Sequence, residues 1–134
     1  MWNTYSQFDW LKFLSLAKEL RARTEEEAVR TSVSRAYYAT YHKAREFLDS
    51  RQVSVTRGSA SPGGTRAATA HDAVWRTFSE SREIAWQKVG EDGDRLKRKR
   101  QQADYDSYIP GLIPKVADEA LILSQRIIET LSRL

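Results

Sequence analysis

The stretch Thr24–Ser50, TEEEAVRTSVSRAYYATYHKAREFLDS, decides how the rest of this chain is read. At about 100° per residue, its Val29, Val33, Ala36, Tyr37, Thr40, Ala44, Phe47 and Leu48 fall on one broad side, the mark of a helix with a buried face. The other side carries Ala28, Ser32, Arg35, Ala39, His42 and Glu46, where small residues alternate with groups able to bind phosphate or move protons. Thr24, with Glu27 three residues on, has the form of a capping box that starts the helix. A rod of this length with one apolar side is expected at the centre of a helical bundle.

The flanking sequence fits the same period. Before the rod, Phe8, Trp10, Leu11, Phe13, Leu14, Ala17 and Leu20 recur at helical spacing between Ser6 and about Arg23. After it, Arg51–Ala68 holds Gly58, Pro62, Gly63 and Gly64 among Ser and Thr, with three Arg and no acid, and reads as a mobile basic Gly/Ser-rich loop. Thr69 and Asp72 repeat the capping pattern ahead of a third helix that reaches about Val89 through Val74, Trp75, Phe78, Ile84, Ala85 and Trp86, and Gly90 to Gly93 is expected to break it. Asp94 then caps a fourth helix through about Tyr105, in which Leu96, Arg100 and Ala103 share one stripe, so that Arg100 leans inward. Pro110, Gly111 and Pro114 mark a turn, and Pro114 suits the first turn of a fifth helix, where a missing amide hydrogen loses nothing. That helix has a seam of Val116, Ala120, Leu123, Ile127, Leu131 and Leu134 opposite Asp118, Gln125, Glu129 and Arg133. The β-rich Val53–Thr56 is short and lies inside the loop, so the expected fold is all-α, an antiparallel bundle of about five helices in one domain over residues 1–134.

Composition narrows the chemistry. With 134 residues, 40% hydrophobic and 30% charged, the chain can fold on its own core. The absence of cysteine excludes disulfides, thiolate nucleophiles and cysteine-based metal sites, and two histidines cannot make a three-histidine centre. No Gly-rich phosphate loop, internal repeat or Cys/His array is present, so neither a metal nor a cofactor is expected. Lys and Arg number 22 against 18 Asp and Glu, a net charge of +4 that biases the protein toward anionic partners such as RNA. The longest aliphatic run, Ala120–Leu123, is far too short to span a bilayer, and no signal-peptide pattern opens the chain, which reads as cytoplasmic.

Arg35 and His42 are two helical turns apart, about 10 Å at their bases, and from one stripe both reach a single phosphodiester. The plainer alternative pairs Arg35 with an acid such as Glu46 of another chain or Asp104 of another helix and leaves His42 as a polar surface residue. His71, in the first turn of its helix beside Asp72, reads as a capping or solvent-exposed residue with no catalytic role. Arg95-Leu96-Lys97-Arg98-Lys99-Arg100 is the densest basic run. Of it, Arg95, Arg98 and Lys99, near Gln102, make an outward patch for RNA phosphates, unless the run is simply a solvated helix face. Trp2, Trp10, Trp75 and Trp86 fall on apolar arcs or at termini, where core packing is expected rather than base stacking.

The segment Ser34-Arg35-Ala36-Tyr37-Tyr38-Ala39-Thr40-Tyr41-His42-Lys43-Ala44 resembles the small HEPN (higher eukaryotes and prokaryotes nucleotide-binding) domains, whose members often read Ser-Arg-Ala-Tyr-Tyr-Ala before an aromatic-His pair. Arg100-Gln101-Gln102-Ala103-Asp104-Tyr105 looks like the family's Arg-x-x-Ala-Asp-Tyr element, and the resemblance covers about residues 8 to 134. It implies a helical bundle that often forms a homodimer, from prokaryotic toxin-antitoxin or defence loci, beside a partner nucleotidyltransferase. Many relatives are metal-independent endoribonucleases that use an Arg and a His near the fourth helix. Here that helix offers Arg100, Asp104 and Tyr105 without a histidine, and the only comparable spacing is Arg35 to His42 on the second helix. On the enzyme reading His42 moves the proton of a ribose 2′-hydroxyl or of the leaving oxygen, Arg35 stabilises the phosphorane, Arg100 adds a second positive group, and Tyr38 and Tyr105 orient the phosphate. The rival is a non-catalytic nucleotide- or partner-binding module, in which Arg35, Tyr38, Arg100, Asp104 and Tyr105 form a polar network that fixes helix register.

Overall fold

The computed structural model describes residues 7–55 and 66–134, with side chains in the second segment from Ala70 onward. Five helices follow one another: α1 (Leu11–Arg21), α2 (Glu26–Ser50), α3 (Arg66–Ser79), α4 (Ile84–Tyr105) and α5 (Ile113–Arg133). No strand occurs among the described residues, and the all-α bundle expected from the periodicity is what forms. Trp2 and most of the basic loop lie outside the described residues. No helix among the described residues is long and apolar enough to cross a membrane.

Residue pairs fix the helix directions. Gln7 meets Glu46, Trp10 meets His42 and Phe13 meets Arg35, so α1 runs antiparallel to α2. Arg30 meets Ala103 while Phe47 meets Trp86, so α4 is antiparallel to α2 as well. By contrast, Tyr37 meets His71 and Phe47 meets Phe78, and α3 runs parallel to α2; Ala36 meets Ser124 and Arg51 meets Leu134, which makes α5 parallel too. The rod α2 thus touches all four other helices. Its apolar side joins Val74, Trp75, Phe78, Val89, Leu96, Ala120, Leu123 and Ile127 in the main core. Its small-residue side is covered rather than open: Ala39, together with Ala36 from the apolar side, packs on Leu14 and Ala17 of α1, with Phe13, Leu121 and Ile128 around them.

Helix limits depart from the sequence reading in four places. The Thr24 capping box does not form; Glu25 is the N-cap and makes no side-chain capping bond. In α1 the start moves inward from Ser6 to Leu11, with Trp10 as the N-cap and the Asp9 carboxylate accepting the Leu11 amide at 3.0 Å just ahead of it. The largest correction concerns Gly90–Gly93, which does not break a helix. The interruption comes earlier, at Glu80–Glu83, and α4 runs unbroken from Ile84 to Tyr105, so Asp94 is an interior residue and not a cap. The glycines serve helix contact instead. A Cβ on Gly93 would lie 2.1 Å from the Trp75 ring, and one on Gly90 would lie 2.3 Å from Ser79 Oγ and 2.8 Å from the Trp75 carbonyl oxygen. Both let α4 press its backbone against α3. Because α3 already begins at Arg66, Thr69 and Asp72 are interior positions, and His71 sits in the second turn rather than the first.

At the carboxyl end of α2, Gln52 adopts a left-handed φ of 56°, the Val53 amide donates to Leu48 O and the Gln52 amide donates to Asp49 O. This is a Schellman ending, with Val53 folded back against the core. Pro114 stands in the first turn of α5 as expected, and the Ala120, Leu123 and Ile127 seam is buried opposite exposed Asp118, Gln125, Glu129 and Arg133.

Candidate functional site

Tyr38 of α2 is the hub of the site. The Arg35 guanidinium stands 5.2 Å from its ring centre and the Arg100 guanidinium, arriving from α4, stands 5.7 Å from it. Arg35 also lies 4.7 Å over Phe13 of α1, and Arg100 lies 5.4 Å from Tyr37. Arginine stacks on rings in this way because its planar cation is weakly hydrated and the ring face is electron-rich. The two motifs that carry the family resemblance, 70 residues apart at Ser34 and Asp104, therefore meet in space.

Acid compensation of these two cations is thin. Arg100 Nη1 reaches Asp104 Oδ2 at 3.6 Å, and Arg100 keeps only 12% of its side chain exposed. Arg35 has no ion pair among the described residues; its one side-chain hydrogen bond is a long 3.4 Å donation to Ser34 Oγ. In both arginines Nε is buried without an acceptor. A buried donor left unpaired costs about 1–3 kcal/mol, so the arrangement favours an arriving anion. The pairing of Arg35 with Asp104 is not formed, because Asp104 is taken up by Arg100 and Ser34; within this chain Glu46 accepts from Lys43 and Gln7.

The histidines border the same rings. His42 lies flat on Trp10, the residue just before α1, ring centres 3.5 Å apart and planes 11° apart, with Tyr38 at 6.5 Å and Tyr41 at 5.3 Å. Burial lowers its pKa, and this half-buried ring is neutral at pH 7. His71, read from the sequence as a cap or surface residue, is instead a network member. Its Nδ1 is 2.7 Å from Tyr37 Oη, which accepts the Trp75 indole N–H at 3.1 Å, and its ring stacks on Tyr41 at 4.0 Å. Burial pushes the His71 pKa down to about 4, and the neighbouring charges of Arg100, His42 and Lys97 push in the same direction. Burial likewise holds the Tyr37 phenol well above the usual tyrosine range.

The remaining candidates lie apart. Tyr105 is 76% exposed, with its ring 6.0 Å from Arg100. Arg98 pairs with Asp94 at 3.0 Å, Lys99 with Glu119 at 2.7 Å, and Lys97 with Asp72 and Asp94, so the basic run is largely neutralised by its own neighbours, with Arg95 left unpaired among the described residues. A cleft of about 500 Å³ between α3 and α4 sets Arg76, Arg95 and Arg98 against Asp72, Glu91 and Asp94, a balance of charge that gives an anion little preference. Trp75 is buried and Trp86 packs against the core, as expected, whereas Trp10 serves the site by covering His42. Sequence reasoning missed Arg30, which donates from α2 to the carbonyl oxygens of Ala103, Asp106 and Ser107 and so anchors the end of α4 that carries Arg100. Among the described residues no three His, Asp or Glu side chains gather as a metal-binding group.

No protein-family model, curated protein or solved structure matches the chain.

Proposed function

We propose that this chain is a HEPN-like helical module that binds the phosphate of a nucleotide or of RNA at the Arg35–Tyr38–Arg100 cluster. The observation that carries the reading is the pair of guanidinium groups held on one tyrosine ring, each with a buried Nε that lacks an acceptor. A phosphate at the outer guanidinium nitrogens supplies the missing negative charge. On the resemblance noted in the sequence, we propose that such a module serves a prokaryotic toxin-antitoxin or defence system, as a homodimer beside a nucleotidyltransferase.

Calorimetric titration with AMP and with a short single-stranded RNA tests this. Wild type is expected to bind, and Arg35→Lys and Arg100→Lys, which keep the charge but lose the planar fork, each to bind about tenfold more weakly, the equivalent of one charge-assisted hydrogen bond. Equal affinity in all three proteins, with folding confirmed by circular dichroism, defeats the reading.

A metal-independent endoribonuclease is the second reading, favoured by His42, a neutral imidazole beside the same Tyr38 that carries both cations. In it His42 takes the 2′-hydroxyl proton as the 2′-oxygen bonds to phosphorus, the guanidiniums stabilise the phosphorane, and the bond to the 5′-oxygen breaks with that oxygen taking a proton from water. RNA incubated with excess chelator is then cut to 2′,3′-cyclic phosphate ends, and His42→Ala abolishes cutting. Intact RNA under those conditions leaves the binding module alone.

A further inference from the structure

The hydrogen bonds around His71 can be written in only one direction. An indole N–H donates and never accepts, so Trp75 Nε1 gives its proton to Tyr37 Oη. The phenol then has its own proton to place, and His71 Nδ1 at 2.7 Å is the acceptor available among the described residues. Were Nδ1 protonated and donating instead, the Tyr37 hydroxyl proton would be stranded on a side chain with 0% exposure. The ring is therefore neutral, with its proton on Nε2, and no described group accepts that proton. Tyr41 on one face, 5° from coplanar, holds the ring still. Arg100 and His71 also share two neighbours: Tyr37 lies 5.4 Å from the guanidinium and 5.5 Å from the imidazole, and Tyr38 lies 5.7 Å and 6.0 Å from them.

We infer that His71 is a contact residue of the site, a locked neutral donor whose Nε2–H, together with the Arg100 guanidinium, takes a phosphoryl oxygen, while Tyr37 and Trp75 are positioning residues that hold its tautomer. The ligand half of this inference rests on the phosphate reading above; the tautomer half does not. A neutral donor suits this place because a second positive charge beside Arg100 and Lys97 would be repelled, as the depressed basicity of the ring reflects, with Asp72 the only acid acting on it in the other sense.

The test is long-range nitrogen–proton NMR of the histidine rings, with AMP, inorganic phosphate and a short RNA as probes. In wild type at pH 7 the His71 signals are expected to show a protonated Nε2 and a bare Nδ1, and the Nε2–H resonance is expected to move when a probe binds. Tyr37→Phe should mix the two tautomers, and His71→Ala should weaken binding about tenfold, while His71→Gln, which keeps an N–H near Nε2, retains most of it. A protonated Nδ1 in wild type overturns the inference with no variant needed. So does an Nε2–H resonance that stays put under a bound probe, or His71→Ala binding as wild type does. If wild type binds none of the three probes, the phosphate reading falls and the ligand half with it, whatever the tautomer. AMP or RNA bound where inorganic phosphate is not identifies a nucleotide, rather than the free ion, as the ligand.

Discussion

At Asp92 the protein withdraws a carboxylate almost completely from water, to 1% exposure, and holds it with two 2.8 Å hydrogen bonds from Arg126 and a 3.7 Å ion pair to Lys88. Arg126 itself remains 45% exposed, so the two partners are not equivalent. Removing the arginine strands a buried charge, whereas neutralising the acid leaves a cation that water can solvate. Arg126→Ala is therefore expected to cost about 3 kcal/mol in urea unfolding, Asp92→Asn distinctly less, and the double variant less than Arg126→Ala alone. Equal costs for the two single variants would contradict this account. The histidines make a second residue-scale prediction. An unfolded histidine takes its proton near 6.5, but His71 resists until about 4, and burial moves His42 the same way. The unfolded chain thus binds more protons within that window, so stability is full above pH 6.5 and declines as the pH falls toward 4. Glu25, Asp118 and Glu119, held below their ordinary values by hydrogen bonds, act only below about 4.5 and leave the upper part of the window to the histidines. Unfolding midpoints at pH 7, 6 and 5 should converge for His71→Gln relative to wild type, and parallel profiles would contradict the assignment. Little of His71's role was legible beforehand. Its partners come from α2, and the spacing of residues along α3 says nothing about a hydroxyl on another helix.

On the scale of helices, the misplaced break is the instructive case. Glycine lowers helix propensity by about 1 kcal/mol, and two of them within four residues argue for an interruption when only local preference is weighed. The structure answers with tertiary contact: Gly93 meets the face of Trp75, and that indole is already committed to Tyr37. Gly93→Ala should therefore destabilise the protein by about 1–3 kcal/mol despite the better propensity, because a Cβ 2.1 Å from the ring forces the indole aside. The displacement should reach the site as well, loosening Trp75 from Tyr37 and mixing the His71 tautomers. Denaturation together with the near-ultraviolet dichroism of tryptophan checks both halves, and a stabilised Gly93→Ala would show that α4 does not press on Trp75. The long periodic helices α2 and α5 were legible because their apolar stripes are continuous. Arg100 was legible as an inward residue because Leu96 and Ala103 share its stripe and are buried. The start of α2 was not, since Thr24 and Glu27 satisfy a pattern that the chain leaves unused in favour of Glu25.

For the molecule as a whole, the question is which of its positive charges are free to meet an anion. Sequence counts cations without their partners, and so it singled out the run Arg95–Arg100; folding brings Asp72 and Glu119 from neighbouring helices onto Lys97 and Lys99, and Asp94 from the same helix onto Arg98. It also set Arg35 and His42 on an open stripe, whereas α1 lays Phe13 over the first and Trp10 over the second. Arg95 keeps no ion pair among the described residues but is exposed to water and faces Asp72, Glu91 and Asp94 across the α3–α4 cleft; of the candidate cations drawn into the fold, the under-compensated ones are Arg35 and, through its long contact to Asp104, Arg100. Salt dependence separates the two surfaces, because each phosphate neutralised on a single strand contributes about −0.7 to the slope of log K against log salt. Binding through Arg35 and Arg100 predicts a slope of about −1.4 for a short RNA, while engagement of the patch Arg95, Arg98 and Lys99 predicts about −2.1. Arg98→Ala and Lys99→Ala should leave the shallow slope unchanged, since an ion-paired side chain has few counterions to release. A slope near the steeper value, flattened by those two substitutions, would move the RNA interface to the outer face of α4 and leave the tyrosine-centred arginines as a structural network.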